Sequence, residues 1–204
     1  MRHLTLLVCT VIVVACNGLW AQQNKSLAIG ESIPMQNELM MDVSDEKMSL
    51  KEVTSEQGLL VIFSCNTCPF VVMWEDRYAQ LEEKCAETGL GMVYINSNQA
   101  KRDGDDSVEA MKAHAKKTDY SYPYLIDENS ALANAFGAKT TPHIYLFNKD
   151  NELVYKGAID DNYKNIEAVK EPYLLNAIDE LLAGKKISLA ETKAVGCSIK
   201  RVKK

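Results

Sequence analysis

Apolar and polar positions along the chain follow two different periods. From Gly58 to Phe63 the run GLLVIF is apolar without interruption and is bounded by a glycine and a serine, which predicts a central strand covered on both faces. From Pro69 the period lengthens: Val71, Trp74, Tyr78, Leu81 and Cys85 recur at +3, +4, +3 and +4, one stripe of a helix. Glu75, Arg77, Glu82 and Lys84 fill the opposite face, and Gly89 supplies a stop. LGMVYIN (Leu90 to Asn96) reads as a second buried strand, and residues 106–119 as a second helix with Asp106 as its cap.

Further on, Tyr122 to Asp127 predicts a short strand and Asn129 to Gly137 a short helix closed by glycine. HIYLFN and ELVYKGAI are strand-like and flank Lys149-Asp150-Asn151, a hairpin signal. A last helix runs from Pro172 to Leu182 and stops before Gly184. Residues 25–57 show no sustained period and predict a strand or two with turns. The order β-α-β-α, hairpin, α predicts one α/β domain with a mixed sheet and helices on both faces. Active residues in such sheets gather at the carboxyl ends of strands.

The first residues have a different character. A charged start, Met1-Arg2-His3, precedes an apolar run from Leu4 to Ala15, after which NGLWAQQ turns polar. A membrane span needs roughly 20 apolar residues, so the pattern predicts a secretory signal, residues 1–21, cut after Ala21. The alternative is a lipoprotein box at VVAC, with Cys16 lipidated and the protein anchored to a membrane. Both place the domain, residues 25–190, outside the cytoplasm, followed by a tail at 191–204.

Without residues 1–21 the formal charge moves from 23 − 28 = −5 to 22 − 28 = −6. Acidic chains are poor partners for nucleic acid. The basic group Lys200, Arg201, Lys203 and Lys204 predicts a solvated end. Six cysteines become four when Cys9 and Cys16 leave, too few to replace a core with disulfides.

Cys65 and Cys68 stand three apart where the strand pattern gives way to the helix pattern. Three uses compete: a redox pair, two metal ligands and a structural clip. A cysteine at a helix N-terminus meets unpaired N–H groups that favour a thiolate, so Cys65 is expected to attack and Cys68, one turn on, to resolve. Pro69 suits a first turn. A zinc site needs a second ligand pair, and the sequence has no second CxxC, no CxxH and no HxxxH. Copper(I) carriage by Cys65, Cys68 and His143 is the non-enzyme alternative, against which His143 is a solvated strand residue. Cys85 belongs to the apolar stripe. Asn96 and Asn98 end a strand on the active side, and Asp160 and Asp161 fit a solvated loop. Cys197 is either a third redox cysteine or an idle thiol, on a tail long enough to reach the sheet edge.

The segments FSCNTCPFV, VYINSNQ, SYPYLIDE, AFGAKTTPHIYLFNKDNELVYKGAIDDN and VGCSIK resemble the thioredoxin-like superfamily, and within it the redoxin or peroxiredoxin-like relatives of alkyl hydroperoxide reductase. The resemblance implies a thioredoxin-like three-layer α/β/α sandwich with a mixed central sheet. It also implies a cis Pro142 and a Thr141 backbone that pairs with a bound peptide. The implied activity is thiol-disulfide oxidoreduction with an antioxidant role. The implied partners are protein or small-molecule thiols and disulfides and an electron-donor redox protein, and no cofactor is required. Departures from the pattern are Ser64 where thioredoxins carry Trp, Asn66-Thr67 in place of Gly-Pro, and no acid within GLLVIF. The Pro and Thr that precede the peroxidatic cysteine of true peroxiredoxins are absent too, which makes a thiol-dependent peroxidase the secondary reading.

Overall fold

Seven strands form the main sheet of a computed structural model that describes residues 25–202. The signal or lipoprotein segment with Cys9 and Cys16, and Lys203 and Lys204, lie outside the described residues. The strands are β1 (Met40–Asp42), β2 (Lys47–Met48), β3 (Leu59–Ser64), β4 (Gly91–Asn96), β5 (Tyr124–Ile126), β7 (His143–Phe147) and β8 (Leu153–Gly157), in the order β2-β1-β5-β4-β3-β7-β8. A short β6 (Thr140–Thr141) pairs separately with β9 (Cys197–Ser198). The helices are α1 (Leu50–Val53), α2 (Pro69–Thr88), α3 (Val108–Thr118), α4 (Ala131–Phe136) and α5 (Tyr173–Leu182).

Strands β3, β4 and β5 run parallel, whereas β7 is antiparallel to β3 and β8 antiparallel to β7. Side chains alternate across a strand, so β3 divides the core between two faces. Leu60 and Ile62 pack with Val71, Trp74 and Tyr78 of α2, Met111 of α3 and Leu174 and Ile178 of α5. Leu59, Val61 and Phe63 pack with Leu50 of α1 and Leu132 and Phe136 of α4. This is the mixed-sheet sandwich that the order of elements implies. Helix α2 stops where expected, with Gly89 in the left-handed conformation at φ +72°.

Several local expectations change. Ser49 and Glu52 close a reciprocal capping box on α1, a Ser-x-x-Glu signal that the weak periodicity of residues 25–57 hides. Helix α3 is capped by Ser107, whose side chain accepts from Ala110 N, and Asp106 is free for another task. Arg77 and Glu82, expected on the outer face of α2, are buried. Glu82 accepts from Tyr94 Oη at 2.9 Å and from Ser121 N at 3.1 Å.

The C-terminal tail is docked along its length. Lys156 N donates to Ala190 O, Thr192 N to Lys156 O, and Ile199 N to Lys139 O, each at 3.0 Å. Arg201, expected in solvent, donates to Ala138 O at 2.6 Å and to Asn134 Oδ1 at 2.7 Å. Val195 and Cys197 pack against the cluster that holds α2, whereas Ile199 belongs to the cluster on the other face of the sheet, so the segment passes along the edge of the core.

Candidate active site

Strand β3 ends at Ser64 and α2 begins at Pro69, so Cys65 to Cys68 form the whole connection. The residue at the mouth of the helix is therefore Cys68, its N-cap at φ −67°, ψ 123°. Sequence reasoning placed Cys65 there, because a change of period marks a junction to within a few residues and not which of two cysteines meets the helix axis.

Three segments converge on Cys68. The Thr141-Pro142 peptide bond is cis, as the resemblance implied, and faces both cysteines. Cys65 Sγ lies 3.3 Å from Thr141 Oγ1, and neutral Cys68 donates to Thr141 O at 3.2 Å. From the other side comes β9, registered so that Cys197 lies opposite Thr141. Cys197 thereby packs against the cluster that holds Cys65 and Cys68.

The Cys68 thiol is held well below its ordinary value, first by its thiol neighbour Cys65 and then, against the effect of burial, by Cys197 and the N–H groups of Val71 and Cys197. Cys65 is pushed up by the same neighbour, by burial and by the Asp106 carboxylate. Cys197 is raised, chiefly by Cys68. The directions make Cys68 the most acidic of the three thiols. Cys85 is different: burial pushes it up to about 12, and it is fully enclosed in the core.

A buried polar frame holds the Cys65–Cys68 loop. Asp106, 1% exposed, accepts from Asn66 N at 3.0 Å, Asn96 Nδ2 at 2.8 Å and Asn98 Nδ2 at 2.9 Å. Tyr124 Oη donates to Asn66 Oδ1 at 3.0 Å, and Arg102 closes the frame through Asp106 O and Asn96 O. Asn98 Oδ1 accepts from Lys200 N at 2.8 Å and so carries the frame to the tail. Asn96 and Asn98 are thus supports of the site. Sequence reasoning missed Asp106 as their common acceptor; its one local signal was a position beside a helix start, which Ser107 serves.

Asp160, expected in a solvated loop, is buried and accepts from Trp74 Nε1 at 3.2 Å and Arg77 Nε at 3.0 Å. The pair ties α2 to the segment after β8. Asp161 is exposed and accepts from Lys170 N at 3.0 Å, away from the cysteines.

His143 is neither solvated nor a third ligand. It lies opposite Phe63, while Ile144 lies opposite Ile62 on the face that carries Cys65 and Cys68. Alternation therefore sends the imidazole to the other face, where it packs tilted on Tyr145. Burial, then Lys156 and Lys139, bring its pKa down to about 4 and keep it neutral. Among the described residues no group of three His, Cys, Asp or Glu side chains is placed to hold a metal, so Cys65, Cys68 and His143 are not brought together as a ligand set.

Comparison with known proteins gives a consistent picture. The family model described as Redoxin matches residues 28–170. An uncharacterized conserved protein from Geobacillus kaustophilus is 32% identical, covers 92% of this chain and 100% of its own, and superposes with a TM-score of 0.81. A hypothetical protein from Sinorhizobium meliloti 1021 is also 32% identical, covers 89% of this chain and 99% of its own, with a TM-score of 0.80. The peroxidoxin BcpB from Mycobacterium tuberculosis, 16% identical over 77% of this chain and 95% of its own, has a TM-score of 0.57 and shares the thioredoxin-like fold. No curated protein matches the chain significantly.

Proposed function

Because this chain belongs to the Redoxin family, we propose that it is an exported thiol-disulfide oxidoreductase in which Cys68 attacks and Cys65 resolves. The observation that carries the reading is the place of Cys68 at the N-cap of α2, where the mouth of the helix and the neighbouring thiols favour a lowered pKa. A thiolate is the nucleophile in disulfide exchange, and a lowered pKa raises its share at neutral pH.

The reaction follows from the geometry. Cys68 S⁻ attacks one sulfur of a substrate disulfide; the Cys68–S bond forms, the substrate S–S bond breaks, and one substrate thiolate leaves. Cys65, raised by its neighbour Cys68 and by burial, keeps its proton until then. It loses that proton to the leaving group or to water, attacks Cys68 Sγ and expels the second substrate thiolate. The protein ends as a Cys65–Cys68 disulfide, two electrons having passed to the substrate, and a reduced thiol partner restores the dithiol. The hydroxyl of Thr141, 3.3 Å from Cys65 Sγ, orients the resolving thiol.

Labelling tests the assignment directly. Reduced protein treated with substoichiometric iodoacetamide at pH 6 is expected to carry the label on Cys68, and label confined to Cys65 would return the attacking role to that residue. The potential gives a second check. With the Cys68 pKa lowered and that of Cys65 raised, the reduced pair is expected to hold one proton near neutrality, on Cys65. Closing and opening the disulfide then moves one proton for two electrons, and the potential should fall by about 30 mV per pH unit near neutrality, since a tenfold change is about 30 mV for this couple. A slope of about 60 mV per unit would mean that both sulfurs are protonated.

The export reading rests on the pattern of residues 1–21. The mass of the mature chain decides it: Gln22 as first residue supports signal peptidase, lipidated Cys16 supports the anchored form, and an intact Met1 in the exported fraction defeats both.

A further inference from the structure

In a reduced site with Cys65 2% and Cys68 6% exposed, neither sulfur of a Cys65–Cys68 disulfide is open to a bulky thiol. Cys197, by contrast, is partly exposed, packs on the cluster that holds Cys68, and lies opposite Thr141, whose carbonyl meets Cys68 Sγ at 3.2 Å. The strand that carries it occupies the Thr141 edge, with Thr140 opposite Ser198 and Thr141 opposite Cys197. An extended peptide adding to this edge would use the same backbone groups. Gly196 shows how close the approach is: a Cβ there would stand 2.2 Å from Thr141 O and 3.2 Å from Pro142 N, so no other residue fits without moving the strand off the cis peptide. Beyond Cys197 the strand is held by buried Ile199 and by the Lys200 N and Arg201 hydrogen bonds described above. Its position is built into the fold.

We propose that Cys197 is a second resolving thiol, delivered on a strand that stands in for a docked peptide, and that it carries the disulfide from the buried pair to the surface. The inference rests on Cys68 as the attacking residue. Cys197 loses its proton and attacks Cys68 Sγ of the Cys65–Cys68 disulfide. The Cys197–Cys68 bond forms, the Cys68–Cys65 bond breaks, and Cys65 leaves as a thiolate that takes up one proton. No external oxidant or reductant enters this exchange. The product presents Cys197 Sγ to a partner thiol, which attacks there and releases Cys68 as the well-stabilised thiolate leaving group. The chemistry of the closed protein is therefore matched to small disulfides and thiols. A protein substrate paired along Thr141 would first have to displace β9.

Peptide mapping separates the possibilities, because Cys65 and Cys68 fall on one tryptic peptide, residues 52–77, and Cys197 on another, residues 194–200. Full-length reduced protein oxidised with one equivalent of diamide is expected to yield joined 52–77 and 194–200 peptides beside the looped 52–77 peptide. Cys65→Ser should convert almost wholly to the joined form, which can then only be Cys68–Cys197. Cys197→Ala should still form the looped 52–77 peptide with diamide, but oxidised protein should be reduced at least tenfold more slowly by glutathione. Gly196→Val, which pushes the strand off Thr141, should lower the yield of joined peptide. No joined peptide in Cys65→Ser, with Cys68 alkylating normally, overturns the role of Cys197 and leaves Cys68 as nucleophile. Failure of Cys68 to alkylate in the wild type instead overturns the reading on which this one rests.

Discussion

Replacing Cys68 with serine is expected to reduce dithiol-dependent insulin reduction to the uncatalysed rate, because the variant lacks the thiol whose pKa the helix mouth and the neighbouring thiols lower. Cys65→Ser is expected to behave differently. Attack by Cys68 survives, Cys197 becomes the remaining resolving thiol, and the adduct with a substrate disulfide lives longer. Mass spectrometry of the intact protein after brief exposure to oxidised glutathione reads the contrast: an adduct on Cys65→Ser and none on Cys68→Ser. An adduct of equal yield on Cys68→Ser would show that the helix mouth does not select the nucleophile. The same contrast excludes a structural clip, since a clip would make the two substitutions equivalent in stability and silent in exchange.

The second large effect concerns stability. Arg77 and Asp160 are an ion pair whose side chains are each 4% exposed, and Asp160 also accepts from Trp74 Nε1. Removing one partner of a buried pair costs about 3–5 kcal/mol, and Arg77 keeps Asp76, 2.7 Å from its guanidinium, as a second carboxylate, so the lower end of that range applies. Asp160→Ala should therefore lower the melting temperature by roughly 6–12 °C, at about 2–4 °C per kcal/mol for a chain of this size. Asp160→Asn, which keeps an acceptor oxygen for Trp74 and Arg77, should lose less. Thermal unfolding followed by circular dichroism measures both. A change in Asp160→Ala below about 1 kcal/mol would show that Asp76 and water suffice for the guanidinium, as in exposed pairs. The Ala variant should also loosen the tie between α2 and the segment after β8, and its Cys68 alkylation rate reports whether that tie helps to aim the helix mouth.

Much of this protein was determined by the sequence alone. The continuous apolar run at β3, the +3 and +4 stripe on α2, and the hairpin signal at Lys149-Asp150-Asn151 each report a local period, and a local period is enough to order the elements and choose the fold class. The spacing of Cys65 and Cys68 and the Thr141-Pro142 pair likewise pointed to thiol chemistry. Three matters were decided only by tertiary structure. Which cysteine meets the α2 axis depends on a connection whose shape is set by Asn66 binding Asp106, forty positions away. Arg77 looks like an outer-face residue by period, yet its partner Asp160 lies 83 positions along the chain and draws it inside. Cys197 is open between a third redox cysteine and an idle thiol until β9 takes its register against Thr141. In each case the deciding contact joins polar groups distant in sequence. Periodicity records which face a residue occupies and carries no information about which donor meets which acceptor once the faces are packed.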